Sequence, residues 1–356
     1  MNISRKLMKF GIAGLLAGAA TSFAVADSTL DTERAEATKA LVNDILRDAD
    51  SRASFIADGS AVSVNVHGFV QNRWTYNDND GDNTHGFSVA RTRLIVSGDL
   101  YNWDYEISGQ WDDGDSLTLK DAYVSTDLAG WGFRAGQFKT PFLREVLVSQ
   151  ADTLAIERSV VSNQFSQGRS QGVQFSRDLG FAAFTGAYTD GFNTANGAGV
   201  QNGYAVTGRL DVGVTDWMGV GVAASHNDLD TTDYNTWTAD ATLSWGGWDL
   251  TGAYVATVDD TNGDDWGTVW TASYQCTSKT QGFVQYENGH LEGVDTDLSI
   301  ATVGVNYDVN DNVRWTTDFG YSFNGIDGGW DLGNSGWNAT GVEGQTLVRT
   351  QLQVRF

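Results

Sequence analysis

A disulfide needs two cysteines, and this chain has one, Cys276; no intramolecular disulfide braces the fold, and the residue reads as an inert position at a strand end. A membrane-spanning helix needs about 20 consecutive apolar residues, and no stretch supplies them. Positive charge is scarce: 22 Lys and Arg face 45 Asp and Glu, a formal net charge of −23, which argues against a nucleic-acid partner. What is abundant points the other way. Forty-two Gly and 13 Trp with a single Pro suit a polar-lined β-barrel better than a bundle of membrane helices.

The two ends of the sequence agree. Arg5, Lys6 and Lys9 precede an apolar stretch from Phe10 to Ala20, and Ala24-Val25-Ala26 forms an A-x-A cleavage site. Residues 1–26 are therefore expected to be a cleaved export signal. Without them 356 − 26 leaves 330 residues, and losing three basic residues takes the charge from −23 to −26. At the other end, Val348, Thr350, Leu352, Val354 and Phe356 alternate with Leu347, Arg349, Gln351, Gln353 and Arg355. One greasy and one wet face with period two is a strand, and a terminal strand ending on Phe resembles the signal read by the outer-membrane barrel-assembly machinery.

Residues 27–61 read differently from the rest: Thr32 to Ala53 is rich in Ala, Glu, Asp, Lys and Arg, with Leu41, Ile45 and Ala49 at helical spacing. This is expected to be a short N-terminal helical periplasmic segment, either a partner for another helix or a solvated tether. From Val62 to Phe356 about sixteen alternating segments follow. Strands are predicted near 62–76, 86–100, 103–112, 116–127, 131–139, 169–178, 180–189, 202–214, 217–227, 235–245, 248–257, 266–276, 279–288, 297–308, 312–323 and 345–356. Short links such as Ala129-Gly130 and Gly246-Gly247 alternate with longer ones such as 77–85, 140–168 and 324–344. Tight turns at one rim, long loops at the other and an even strand number predict an all-β fold, a transmembrane antiparallel barrel. Gly81, Asn262 and Gly333 are then expected on the outer side, and Asp216 and Gly247 on the periplasmic side. Trp103, Trp131, Trp217, Trp245 and Trp248 fall beside the short turns, where an aromatic girdle would sit.

Facing follows from energetics, because an Arg on the lipid side costs roughly 2–4 kcal/mol at the midplane. Arg91 and Arg93 share a parity and are assigned to the lumen, leaving Ala90, Thr92, Leu94 and Val96 outward. The same logic turns Asp104 and Glu106 inward, and Asp240 opposite Trp237 and Trp245. Arg314 and Asp318 point inward opposite Trp315 and Phe319. About sixteen strands are wide enough to hold water. Arg73, Arg91, Arg93, Arg314, Arg349 and Arg355 lie on the first two and last two strands, which become neighbours on closure and form a basic wall, lining the pore or bracing it through lumenal carboxylates. Asp121, Arg134, Lys139 and Arg209 complete the expected pore-lining charges. In the long loop 140–168, Thr140 is predicted to cap and Pro141 to begin a helix through Leu143, Val146 and Leu147. Folding this apolar loop inward would narrow the pore with Pro141, Phe142, Arg144, Glu145, Glu157 and Arg158; an external cap or a trimer contact is the alternative.

Four segments resemble one family of outer-membrane channels, the phosphate-selective porin O and P group. They are Arg91-Thr92-Arg93-Leu94, Leu119-Lys120-Asp121-Ala122-Tyr123, Gly136-Gln137-Phe138-Lys139-Thr140-Pro141-Phe142 and Glu157-Arg158-Ser159. The resemblance implies a sixteen-stranded trimeric barrel with its third loop folded into the pore. Basic side chains line an anion path in the phosphate-specific members, whereas this chain carries Asp78, Asp80, Asp82, Asp228, Asp230, Asp233, Asp259, Asp260, Asp264 and Asp265 in its loops.

The expected function is a passive water-filled channel for small hydrophilic solutes and ions in the cell outer membrane, with no cofactor and no metal. The spacing of Asp78, Asp80 and Asp82 resembles a calcium loop, but Gly81 lies between the second and third carboxylates and no Glu follows at the twelfth position; loose divalent bridging to lipopolysaccharide is the milder reading of the acidic loops. Loop carboxylates should favour cations at low ionic strength and fade as salt rises. Two other classes stand beside the channel: a structural or adhesive surface protein resting on residues 27–61 and the loops, and a barrel-borne hydrolase built on His85, His226 or His290 beside an Asp. No nucleophile motif accompanies these histidines.

Overall fold

The computed structural model describes residues 62–112, 116–197, 203–229, 232–259 and 263–356. The expected signal at 1–26 and the helical segment at 27–61 lie outside the described residues, as does Asn262. Sixteen strands close on themselves, each pairing antiparallel with its sequence neighbours. In order they are β1 Asn65–Asn79, β2 Asp82–Leu100, β3 Trp103–Asp112, β4 Leu117–Leu128, β5 Trp131–Lys139, β6 Arg169–Asp178, β7 Ala182–Thr189 and β8 Tyr204–Thr215. The second half adds β9 Met218–Leu229, β10 Thr232–Trp245, β11 Trp248–Asp259, β12 Gly263–Gln275, β13 Thr280–Leu291, β14 Thr296–Asn310, β15 Val313–Ser322 and β16 Thr346–Arg355. Among the described residues no helix is long and apolar enough to cross a membrane; the strands are the spanning elements.

The seam is β1 on β16, in register from Phe69 opposite Arg355 to Asp78 opposite Thr346. Phe356 extends the ladder by one pair: its N–H donates to the Gly68 carbonyl at 3.1 Å, and the Gly68 N–H donates to its carbonyl at 3.0 Å. A Cβ at Gly68 would lie 2.9 Å from the Phe356 ring and 2.2 Å from the Arg93 carbonyl, so closure requires glycine there.

Period-two alternation survives folding. Along β10, Thr236, Thr238 and Asp240 are buried inward while Trp237 and Trp245 are exposed outward. Trp103, Trp131, Trp217, Trp245 and Trp248 are all exposed beside short turns. Two of those turns are tight because both central residues accept positive φ: Ala129 and Gly130 at 57° and 81°, Gly246 and Gly247 at 56° and 86°, the geometry that matches strand twist.

Among the described residues the ladder shifts register at four places, and two of these bear on the pore. Between β1 and β2, Gln71 pairs with Arg91 but Asn72 pairs with Val89, so Ala90 is an extra residue. Ala90 was expected to face outward with Thr92 and Leu94; it is instead buried, and Val89 is exposed, because the bulge reverses parity on its far side. Between β3 and β4, Ile107 pairs with Ala122 and Gly109 with Leu119. The Ser108 hydroxyl donates to the Asp121 carboxylate and accepts from the Asp121 N–H, both at 3.0 Å.

The third loop departs from its expected start. Its first helix, α1, spans Arg144–Leu147, with Leu143 at the cap and no side-chain cap bond. Thr140 and Pro141 precede it outside the helix, with Pro141 at a bend across which the Phe142 N–H donates to the Thr140 carbonyl at 2.9 Å; the Thr140 N–H donates to the Gly168 carbonyl at 3.1 Å, closing the neck of the loop. A second short helix, α2, spans Val160–Gln164 and is capped by Ser159, whose hydroxyl accepts from Ser162 N–H.

Candidate pore and constriction

The third loop lies inside the barrel, held to the wall on several sides. Glu157 sits between Arg73 of β1 and Arg91 of β2, meeting Arg91 at 2.6 Å and Arg73 more closely. Further round, Asp318 of β15 accepts from the Ile156 N–H at 3.1 Å, and Glu287 of β13 accepts from the Val161 N–H at 3.0 Å. Arg144 reaches the wall at Asp240 of β10 and at Asp211 of β8, the latter at 2.7 Å. Within the loop, Glu145 ties α1 to α2, accepting from Ser159 N–H at 3.1 Å and from the Ser159 and Ser162 hydroxyls at 2.6 and 2.5 Å.

Beside the loop run two cavities. The outer one, about 260 Å³, is lined by Arg91, Arg93, Lys120, Lys139, Arg158 and Arg169 against only Asp112 and Glu157. The inner one, about 500 Å³, is lined by Arg93, Arg134, Lys139, Arg169 and Arg209 against Glu106, Asp121 and Asp211. Arg93, Lys139 and Arg169 belong to both and mark the neck between them.

Charge pairing at this neck is uneven. Arg169 holds Asp121 through two bonds of 3.0 and 2.8 Å, and Lys120 approaches Asp112 at 3.6 Å. By contrast, Arg93, Arg134, Lys139 and Arg158 have no carboxylate partner among the described residues. Arg93 donates to Gln110 and Gln150 and its Nε is buried without a partner. Lys139 donates to the Leu147 and Val148 carbonyls at 3.2 and 3.1 Å. Arg158 caps the same end of α1 through Val146 and Val148, at 3.0 and 2.8 Å. The Arg134 guanidinium stacks 4.1 Å over the Tyr123 ring, a contact worth about 0.5–1 kcal/mol.

Other expected pore residues are placed elsewhere. Arg73, Asp240, Asp318 and Arg349 point inward but are buried beneath the loop, Arg349 gripping Asp318 with two bonds of 2.8 Å. Arg314 pairs with Asp308 at 2.8 Å in a separate concavity of about 290 Å³ at the short-turn rim. Asp104 is exposed at that rim. Phe142 is buried among apolar residues, and Pro141 lines the inner cavity. Lys120 and Arg169 were missed as pore residues: strict alternation would hide one of the consecutive Lys120 and Asp121, but the bulge lets both reach the lumen. Among the described residues no hydrogen bond joins a histidine to a serine, threonine or cysteine side chain. His226 and His290 alternate with the inward residues Ser225 and Leu291 and bond Asn235 and Asp297 at 3.0 and 2.9 Å on the exposed side.

A closed antiparallel barrel of sixteen strands with an apolar, aromatic-ringed outside and a charged lumen is an outer-membrane diffusion channel. Residues 61–245 match the family described as phosphate-selective porin O and P, more than half of the chain, and the protein belongs to that family. No curated protein matches it. Among solved structures it is similar to the anion-selective porin from Comamonas acidovorans, with a TM-score of 0.63 at 15% identity over 83% of this chain and 100% of that one. OmpF of Salmonella typhi in complex with daunomycin gives 0.65 at 15% identity over 83% and 98%. The trimer form of OmpT from Vibrio cholerae gives 0.59 at 13% identity over 83% and 100%. At these identities the likeness speaks for the fold.

Proposed function

We propose that this porin is a passive channel, without enzymatic chemistry, that favours small anions and is narrowed by the loop at 140–168. The observation carrying the reading is that Arg93, Lys139 and Arg158, at and above the neck, have no carboxylate partner among the described residues. A cation held in a low-dielectric passage stays strong where surface charges are screened over about 8 Å at physiological salt. Among the described residues Asp78, Asp80, Asp82, Asp228, Asp264 and Asp265 lie at loops and strand ends away from the neck, so they govern approach and the neck governs passage.

Export through a cleaved signal at 1–26, assembly through Phe356, a homotrimeric state and loose divalent contacts with lipopolysaccharide complete the reading. Support for the trimer comes from the trimeric form of the structurally similar Vibrio cholerae protein. Reversal potentials across KCl gradients in planar bilayers test the function. Anion preference that persists at high salt is expected; cation preference at every ionic strength would overturn it.

A further inference from the structure

The lumen is divided. The residues lining the two cavities come from β1 to β8 and from the third loop, with Gly333 and Asn334 of the last loop at the outer edge. On the other side the inward residues Ala223 of β9, Val255 of β11, Val269 of β12 and Ile300 of β14 are buried in a single apolar cluster. Apolar side chains on the inner face of a polar-lined barrel would waste burial unless something dry covers them.

Two loops supply the cover. From the third loop come Phe142, Val146, Val160, Val161 and Phe165; from the last loop, residues 323–345, come Ile326, Trp330 and Trp337. The wall is cut to receive them. A Cβ on the inward Gly267 would lie 2.5 Å from Val161, one on Gly289 would lie 2.8 Å from the Trp330 ring, and one on Gly320 would lie 2.7 Å from the Trp337 ring. Three glycines on β12, β13 and β15 are thus the floor of seats filled by loop side chains.

The last loop is also pinned through its backbone. Arg73 and Arg349 donate to the carbonyls of Asn334 and Ser335 at 2.8 and 2.7 Å. The Asp331 N–H donates to Gln164 at the end of α2 at 2.7 Å, so the two loops hold one another. Gly333 is exposed, and a Cβ there would lie 3.0 Å from the Asn163 amide of the third loop. Its loop carries two tryptophans whose burial outweighs the solvation of its polar residues.

We propose that the last loop is a second pore-forming element: with the third loop it seals the lumen along β9 to β15, and solutes pass only along β2 to β8. This rests on the diffusion-channel reading and adds the path within it.

The test is cysteine accessibility in the full-length protein carrying Cys276→Ser, using a negatively charged methanethiosulfonate and single-channel current. Gln174→Cys and Thr185→Cys, in the inner cavity, should react and change the current. Val255→Cys and Val269→Cys should stay unmodified. Excising residues 327–341 should make Leu291→Cys, buried beside Gly329 of that loop, reactive and should raise conductance, short of a fully open lumen because the third loop stays in place. Gly289→Val and Gly320→Leu, which remove the tryptophan seats in an otherwise intact chain, should have the same direction of effect. Rapid modification of Val255→Cys in the intact protein, or excision that leaves both conductance and reactivity unchanged in a folded barrel, would overturn the divided lumen. Silence of Gln174→Cys as well would strike the channel reading itself.

Discussion

Glu157 of the third loop meets Arg91 of the second strand at 2.6 Å, both side chains almost wholly buried, across 66 residues of sequence. The same carboxylate also takes Arg73, so one loop residue neutralises two wall cations and fixes the loop against β1 and β2. Removing one partner of such a buried set leaves the others uncompensated, at a cost of about 3–5 kcal/mol. Glu157→Gln should therefore release this end of the loop while the barrel stays folded. Single-channel recordings should show larger and noisier conductance, with heat-modifiable mobility on a gel unchanged. Wild-type conductance in a folded E157Q barrel would show that the loop is held without the pair.

The acid sensitivity of this contact has a defined sign. Burial pushes the Glu157 carboxyl upward, but Arg91 and Arg73 override it and hold the group down at about 2, against an ordinary value of 4.5. A carboxylate depressed in the folded state contributes its full stability above the unfolded value and loses it as pH falls through the folded one. Conductance should thus be steady from neutral pH to about pH 4 and change only on approach to about pH 2. A transition centred on the ordinary carboxylate value would mean that Glu157 is not engaged.

Excision of residues 145–160 removes α1, Glu157 and Arg158 together and exposes the wall behind them. Conductance should rise and anion preference should persist, because losing Glu157 unpairs Arg91 and Arg73 as Arg158 goes. A folded barrel of unchanged conductance would place the loop outside the current path.

Deleting Phe356 removes both main-chain bonds to Gly68 and the ring that packs over it. The barrel has no other closing pair beyond Arg355, so outer-membrane levels of the folded protein should fall. Unchanged heat-modifiable barrel in membranes would show that closure and delivery do not depend on the terminal aromatic.

How much of this was legible in the sequence follows from range. Strand positions came from alternation and turn residues, which act over a few neighbours, and Trp131–Lys139 and Arg169–Asp178 fall where the pattern placed them. Ala90 and Lys120 were misjudged or missed because a bulge is a relation between two strands and leaves no mark on either one alone. Thr140-Pro141 looked like a helix start by local rule, yet the Thr140 N–H is spent on Gly168 across the loop neck. The burial of Trp330 and Trp337 depended on glycines in β13 and β15, and nothing local distinguishes those glycines from the other forty.

Selectivity is the sharpest test of where charge counts. The chain's formal charge of −23 and its Asp-rich loops favour cations, while Arg93, Lys139 and Arg158 favour anions at and above the neck. Distance decides, because loop charges fade beyond about 8 Å at physiological salt and neck charges sit in the passage itself. The double variant Arg93→Gln with Lys139→Gln leaves the neck with Arg169, which is already paired with Asp121. Its KCl reversal potential should fall toward zero and turn cation-favouring at low salt, where the acidic loops regain reach. The double variant Arg314→Gln with Lys279→Gln removes the same two charges from a concavity away from the neck, and its reversal potential should match that of the unaltered protein. Equal shifts in the two variants would mean that total lumenal charge sets the preference and that the neck has no special role.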